Sequence, residues 1–232
     1  MGVVKRRQWI TRCGAWLSLW VPGLQATQAA VGVTESDAAA AIRVALERGA
    51  LSAVSLLGKT DGFLGNPKVR IPLPDYLEEA ASLLRRFGQS KRVDELVTSM
   101  NRAAEQAVPE AKTLLVQTAK AVSVDDAIHI VRGSETSVTE YFAAKTRQPL
   151  GEKFLPIVKR ATEKVALADK YNAVAERASR FGLVKPEDAD LNHYVSGKAL
   201  DGLYLMIGEE ERRIRRDPVA TGSAILRKVF GF

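Results

Sequence analysis

The chain has 232 residues, 46% of them apolar and 26% charged, an ordinary globular composition with room for a sizeable core. Its formal charge of +7 leans on residues 1–30, where Lys5, Arg6, Arg7 and Arg12 meet no acid; without them 30 Lys and Arg face 27 Asp and Glu, a mild +3 that argues against nucleic acid as a partner. Cys13 is the single cysteine, so residues 31–232 exclude disulfides, thiol catalysis and cysteine metal sites.

Residues 1–30 read as an export signal. Lys5, Arg6 and Arg7 form a basic start, CGAWLSLWVPGLQA a short apolar stretch, and Ala29 and Ala30 sit where a cleavage site needs small residues. The apolar run is shorter than the roughly 20 residues of a membrane span and is broken by Pro22, so no stable span is expected in the mature chain. KRRQWI is similar to a twin-arginine signal, but ordinary signals also carry paired bases, and the general secretory route is favoured over the twin-arginine route. Arg12 before Cys13, with most of the apolar run after it, is the wrong arrangement for lipid attachment. Residues 31–232 are therefore expected in the periplasm, as a single all-α domain.

That domain shows helical periodicity throughout and no period-2 strand run. A first helix is predicted over about 35–57, stopped by Gly58, and residues 58–74 have the Gly, Pro and Asn density of a long ordered loop. Pro74 and Asp75 open a helix that ends at Gly88; Ser90 caps the next, to about Val108, and Pro109 suits the first turn of another. SVDD from Ser123 resembles a capping box, with Gly133 closing that helix. Ser134 is expected to cap a helix through YFAAKT, and a separate one runs from about Pro149 to Val165 with a kink at Pro156. A helix over 169–181 precedes a long one from about Leu191 to Arg216, and Thr221 is expected to cap a short last one. The expectation is a bundle-like domain of eight or nine helices in which the long penultimate helix is buried.

The penultimate helix carries the sharpest signal. In YVSGKALDGLYLMIG, residues 194–208, apolar side chains occupy the whole circumference, so Gly197, Gly202 and Gly208 are expected at close helix contacts and Lys198 and Asp201 are expected inside, paired with each other. An enclosed Lys or Asp without a partner costs several kcal/mol. The alternative is a polar pocket in which this pair orients a ligand. The following GEEERRIRRDP, with Glu209 and Arg213 four apart and Glu211 and Arg215 four apart, reads as a solvated face, the alternative being an anionic partner on Arg212, Arg213, Arg215 and Arg216.

Other polar positions join the candidate list. Asn101 and Glu105 lie at the edge of an apolar face and are expected to share a contact there, while Arg102 points away unless the 58–74 loop covers it. Tyr141 and Lys145, four apart, can line a pocket with Thr146, or Tyr141 and Phe142 can be core. GKTDGFLGNP fits neither a phosphate-binding loop nor a calcium loop, and its glycines are explained by tight turns. His129 and His193 lack second ligands at metal-site spacing, and no nucleophile motif is present, so neither metal nor cofactor is expected.

In chain order, DGFLGN with IPLP, MNRAAE, DDAI, TEYFAAKT, DLNHYVSGKALDGLY, EEERRIRRDP and the terminal ILRKVFG resemble the bacterial domain-of-unknown-function family numbered 4197, over nearly all of residues 38–232. The resemblance implies an exported all-α protein and brings no activity, cofactor or catalytic residue. The leading expectation is a periplasmic protein that acts by binding a protein partner or a small molecule, with its oligomeric state open. The alternative is a metal-independent enzyme using Glu105, Asp201, Lys198 and Arg102 for acid–base chemistry.

Overall fold

A computed structural model describes residues 34–163 and 190–230, with Ala168, Asp169, Tyr171, Asn172, Glu176 and Arg180 between them. Its helices are α1 (Glu35–Leu57), α2 (Asp75–Arg86), α3 (Ser90–Ala107), α4 (Ala111–Lys120), α5 (Val124–Arg132), α6 (Ser137–Thr162), α7 (Leu191–Arg216) and α8 (Ala224–Phe230), with a 3-10 turn Val108–Glu110 ahead of α4. No strand occurs among the described residues, and the fold is all-α. The helix expected over 169–181 falls largely outside the described residues.

Local chemistry accounts for most boundaries. Thr34 and Ser123 each form a complete capping box, with Asp37 and Asp126 reaching back to the cap N–H. Asp190 caps α7, its carboxylate accepting from the Asn192 and His193 N–H groups at 2.9 and 3.1 Å. Three caps differ from expectation: Ser134 lies ahead of α6, whose cap position is Thr136 and makes no side-chain cap bond. Ser90 is already the first helical residue of α3, after Gln89. At α8 it is Ser223 Oγ that accepts from the Leu226 N–H, at 3.5 Å, while Thr221 Oγ1 holds the Ser223 N–H.

The larger correction concerns α6, which is one unbroken helix rather than two, with Pro149 and Pro156 inside it. Each internal proline costs about 3 kcal/mol or more in an isolated helix. Here Phe142, Thr146, Leu150, Phe154, Val158 and Thr162 form a buried stripe with a uniform four-residue step through both prolines. The carbonyls deprived of a donor belong to Lys145 and Glu152, both exposed, where water can serve them.

The main core runs from Ala39 on α1 to Ile207 on α7 and is floored by Phe63, Phe142 and Phe154, each fully buried. Helix α1 packs against α4, α5, α7 and α8, and α6 against α3, α4 and α7. The reach of α1 follows from Ala38, Ala39, Ala41, Ala45, Gly49, Ala50 and Ala53, small buried residues that let several neighbours approach. A second cluster of Ala41, Ala45, Ile214, Leu226 and Val229 seats α8 on α1 and α7. The chain from Val33 onward closes this core as one compact unit by itself.

Candidate functional site

The loop at 58–74 is bound to α3 at two points one helical turn apart. Glu105, only 5% exposed, accepts at Oε1 from the Phe63 and Leu64 N–H groups at 3.0 and 3.2 Å, and at Oε2 from Arg102 Nη1 at 2.6 Å. Asn101, fully buried, accepts the Ile71 N–H at 2.8 Å and donates to the Ile71 and Val97 carbonyls at 2.9 and 2.8 Å. These two side chains do not share a contact as the sequence led us to expect; each holds a different end of the same loop.

Arg102 completes the loop attachment. Its second nitrogen meets Asp61 at 2.8 Å, so the loop does cover this side of α3, and Glu105 first and Asp61 second push the guanidinium further above its ordinary value. The loop's left-handed residue is Asp61, at φ 63°, and not one of its glycines. Gly62 answers a different need, because a Cβ there would run into the Leu56 and Leu57 carbonyls. With both Glu105 oxygens engaged by donors and the side chain only 5% exposed, this cluster fastens a loop.

Lys198 and Asp201 are not where the sequence reading put them. Both are exposed; Asp201 pairs with Arg147 of α6 at 2.5 Å, and Lys198 lies 5.7 Å from the centre of the Tyr194 ring. Helix α7 is apolar on most of its circumference, but Lys198, Asp201, Leu205, Glu209, Arg212 and Arg216 recur at three- and four-residue steps as one outward stripe, with Leu205 its only apolar member. Gly197 has open space beside it, whereas Gly202 does receive a neighbour, Phe63 Cε1 lying 2.8 Å from where a Cβ would stand. Glu105 and Arg102 do not join Lys198 and Asp201, so the proposed acid–base quartet is not assembled.

Tyr141 and Lys145 lie at the α5–α6 junction. Tyr141 donates to Asp126 at 3.4 Å, and Lys145 sits 5.8 Å from its ring centre. Burial raises the Tyr141 phenol, while the Ser123 hydroxyl bond is the main influence lowering Asp126. The Asp126 effect is a consequence of the α5 cap, and Thr146 turns inward, donating to the Phe142 carbonyl at 2.6 Å.

Glu211 is the residue the sequence misled us about most. It is 4% exposed and accepts from the Val138 and Thr139 N–H groups at 3.2 and 3.1 Å and from the Thr139 hydroxyl at 2.9 Å, closing the N-terminus of α6. Arg215 bonds it at 3.0 Å from one turn on and also reaches the Ile130 carbonyl at 3.4 Å. The i,i+4 pairing was legible; the burial was not, because it depends on where α6 begins.

Among the described residues, a groove of about 430 Å³ lies open between α1 and α7. Ala53, Leu56 and Met206 supply its apolar surface, and Glu209, Arg212, Arg213 and Arg216 its polar rim. Glu209 accepts from Lys68 at 2.8 Å and Arg212 at 2.7 Å, which together hold its carboxyl down at about 2, Lys68 contributing most. Glu210 bonds Arg213, and Arg216 has no acid partner among the described residues. None of Asn101, Arg102, Glu105, Tyr141, Lys145, Lys198 and Asp201 lines this groove, whose guanidinium rim the sequence reads as a solvated face, with an anionic partner on Arg212, Arg213, Arg215 and Arg216 as the alternative. No group of three His, Cys, Asp or Glu side chains able to hold a metal occurs among the described residues, and no helix of these residues is long and apolar enough to cross a membrane.

A family model described as "Protein of unknown function (DUF4197)" matches residues 32–231. No curated protein matches the chain. No solved structure matches it either.

Proposed function

The chain is a member of the DUF4197 family, and we propose that it is an exported periplasmic protein that acts by binding, with the groove between α1 and α7 as its binding surface. The observation that carries this reading is the groove itself: a concavity of about 430 Å³ with apolar side chains from α1 and α7 inside and guanidinium groups at its edge. Such a surface suits a ligand with an apolar body and an acidic group, because Leu56 and Met206 gain by excluding water while Arg216 offers charge that no acid among the described residues claims. Export is supported by the basic, apolar and small-residue order of residues 1–30.

The test is a native mass spectrum of the protein purified from the periplasm of its source cells, with chemical cross-linking in parallel. Binding predicts either added mass that leaves on denaturation or a cross-linked partner, lost in Arg216→Glu, an exposed position whose change leaves the core intact. A clean mass with no partner, or a ligand indifferent to Arg216→Glu and to Met206→Glu, overturns the groove assignment.

A further inference from the structure

The turn between α2 and α3 combines two properties found together nowhere else among the described residues. Phe87, at the end of α2, is 79% exposed, and Leu83, one turn earlier on the same side, is 50% exposed. Large apolar side chains left this open on a helical hairpin tip lose the gain of burial unless something covers them. The second property is charge: residues 83–92, LLRRFGQSKR, hold Arg85, Arg86, Lys91 and Arg92 and no acid.

The acids around the tip are few and set back from it. Glu78 meets Arg85 at 3.2 Å, Glu95 lies 4.0 Å from Lys91, and Asp94 follows on the same turn of α3. Arg86 and Arg92, both exposed, have no acid partner among the described residues. Gly88, at φ 75°, turns the chain between the helices, with the Gln89 N–H closing on the Leu84 carbonyl at 2.8 Å. The tip is thus a fixed convex feature, with an aromatic ring at its end and cations beside it.

We propose that this tip rests on a membrane surface bearing anionic phospholipid, with Phe87 and Leu83 entering the boundary between headgroups and acyl chains and Arg85, Arg86, Lys91 and Arg92 meeting the phosphates. A convex apolar end needs a surface that yields to it, which a bilayer interface does, and four cations in ten residues, of which Arg86 and Arg92 have no acid partner among the described residues, call for a dense array of negative charge. Long arginine and lysine stems lie along the apolar boundary while their heads stay at phosphate level. This inference does not depend on the groove between α1 and α7.

The experiment floats residues 31–232, which contain the whole described core, on vesicles of phosphatidylcholine alone and on vesicles of equal parts phosphatidylglycerol and phosphatidylcholine. Expected is binding to the anionic vesicles, weakened by salt, and reduced roughly tenfold or more both by Phe87→Ser and by the pair Arg86→Glu and Arg92→Glu. All three are exposed positions, so an unchanged far-ultraviolet dichroism spectrum is the check on folding. Trp9, Trp16 and Trp20 are the chain's tryptophans, so in residues 31–232 Phe87→Trp places the sole tryptophan at the tip, and its emission, excited selectively over tyrosine, should shift to the blue on anionic vesicles. Absence of binding, or binding that both sets of substitutions leave unchanged, overturns the proposal. So does a Phe87-dependent dimer that stays off the vesicles, which would make a second copy the occupant.

Discussion

Glu105 and Asp201 are both carboxylates paired with an arginine, and their surroundings give them opposite weights. Glu105→Ala removes the acceptor of two backbone N–H groups at the base of the 58–74 loop and leaves Arg102 with Asp61 alone. Unmade hydrogen bonds under a packed loop cost their full desolvation, so a loss of about 3 kcal/mol is expected in urea denaturation. Asp201→Ala breaks only the exposed pair with Arg147 and should cost less than about 1 kcal/mol. A large loss at Asp201 would instead mean the enclosed pairing with Lys198 that the sequence suggested. The reason the sequence misleads is specific: side chains three residues apart can meet, but a partner from another helix, here Arg147, is invisible to spacing.

Among the elements, α7 offers an internal comparison. Gly202→Ala would press a methyl group to 2.8 Å from Phe63, and overpacking of this kind costs about 1–3 kcal/mol. Gly197→Ala meets nothing within 4 Å and exchanges a poor helix former for the best one, gaining up to about 1 kcal/mol. Thermal melts should therefore move in opposite directions, and a matching downward shift for Gly197→Ala would show that a neighbour closes on it.

At the other end of the fold, Lys228 of α8 bonds Asp37 of α1 at 2.6 Å and, with the Thr34 cap, holds the Asp37 carboxyl down from 3.8 to about 2. A folded-state value below the unfolded one stabilises above the unfolded value and is lost as pH falls through the folded one. The tie is thus complete at neutral pH, weakens below 3.8 and is gone below about 2. Hydrogen-exchange protection of the α8 amides, corrected for intrinsic rates, should fall across that window, and Asp37→Asn should show reduced protection already at neutral pH.

For the molecule as a whole, the described residues of both buried clusters run from Ala39 onward, and the chain from Val33 forms a compact unit by itself. Residues 31–232 alone should therefore keep their helical dichroism and melt in one cooperative transition; a broad or multiphasic melt would show that residues 1–30 complete the fold. The all-α class, most helix ends and the Ser123 capping box were legible, because caps, glycine stops and helical periodicity are read within a few residues of themselves. The joining of YFAAKT to the segment after Pro149 was not, since it is the buried stripe from Phe142 to Thr162 that outweighs the proline penalty, and burial is contributed by α3, α4 and α7.

By itself, then, the amino-acid order determined where most helices begin and end, which faces are apolar, and that residues 1–30 differ in kind from the rest. Only the tertiary structure decided which charges are enclosed. It put Glu105 and Glu211 inside and Lys198 and Asp201 outside. The physical reason is that a side chain's periodicity belongs to its own helix, whereas its solvent and its partners are supplied by whichever helices and loops pack across it.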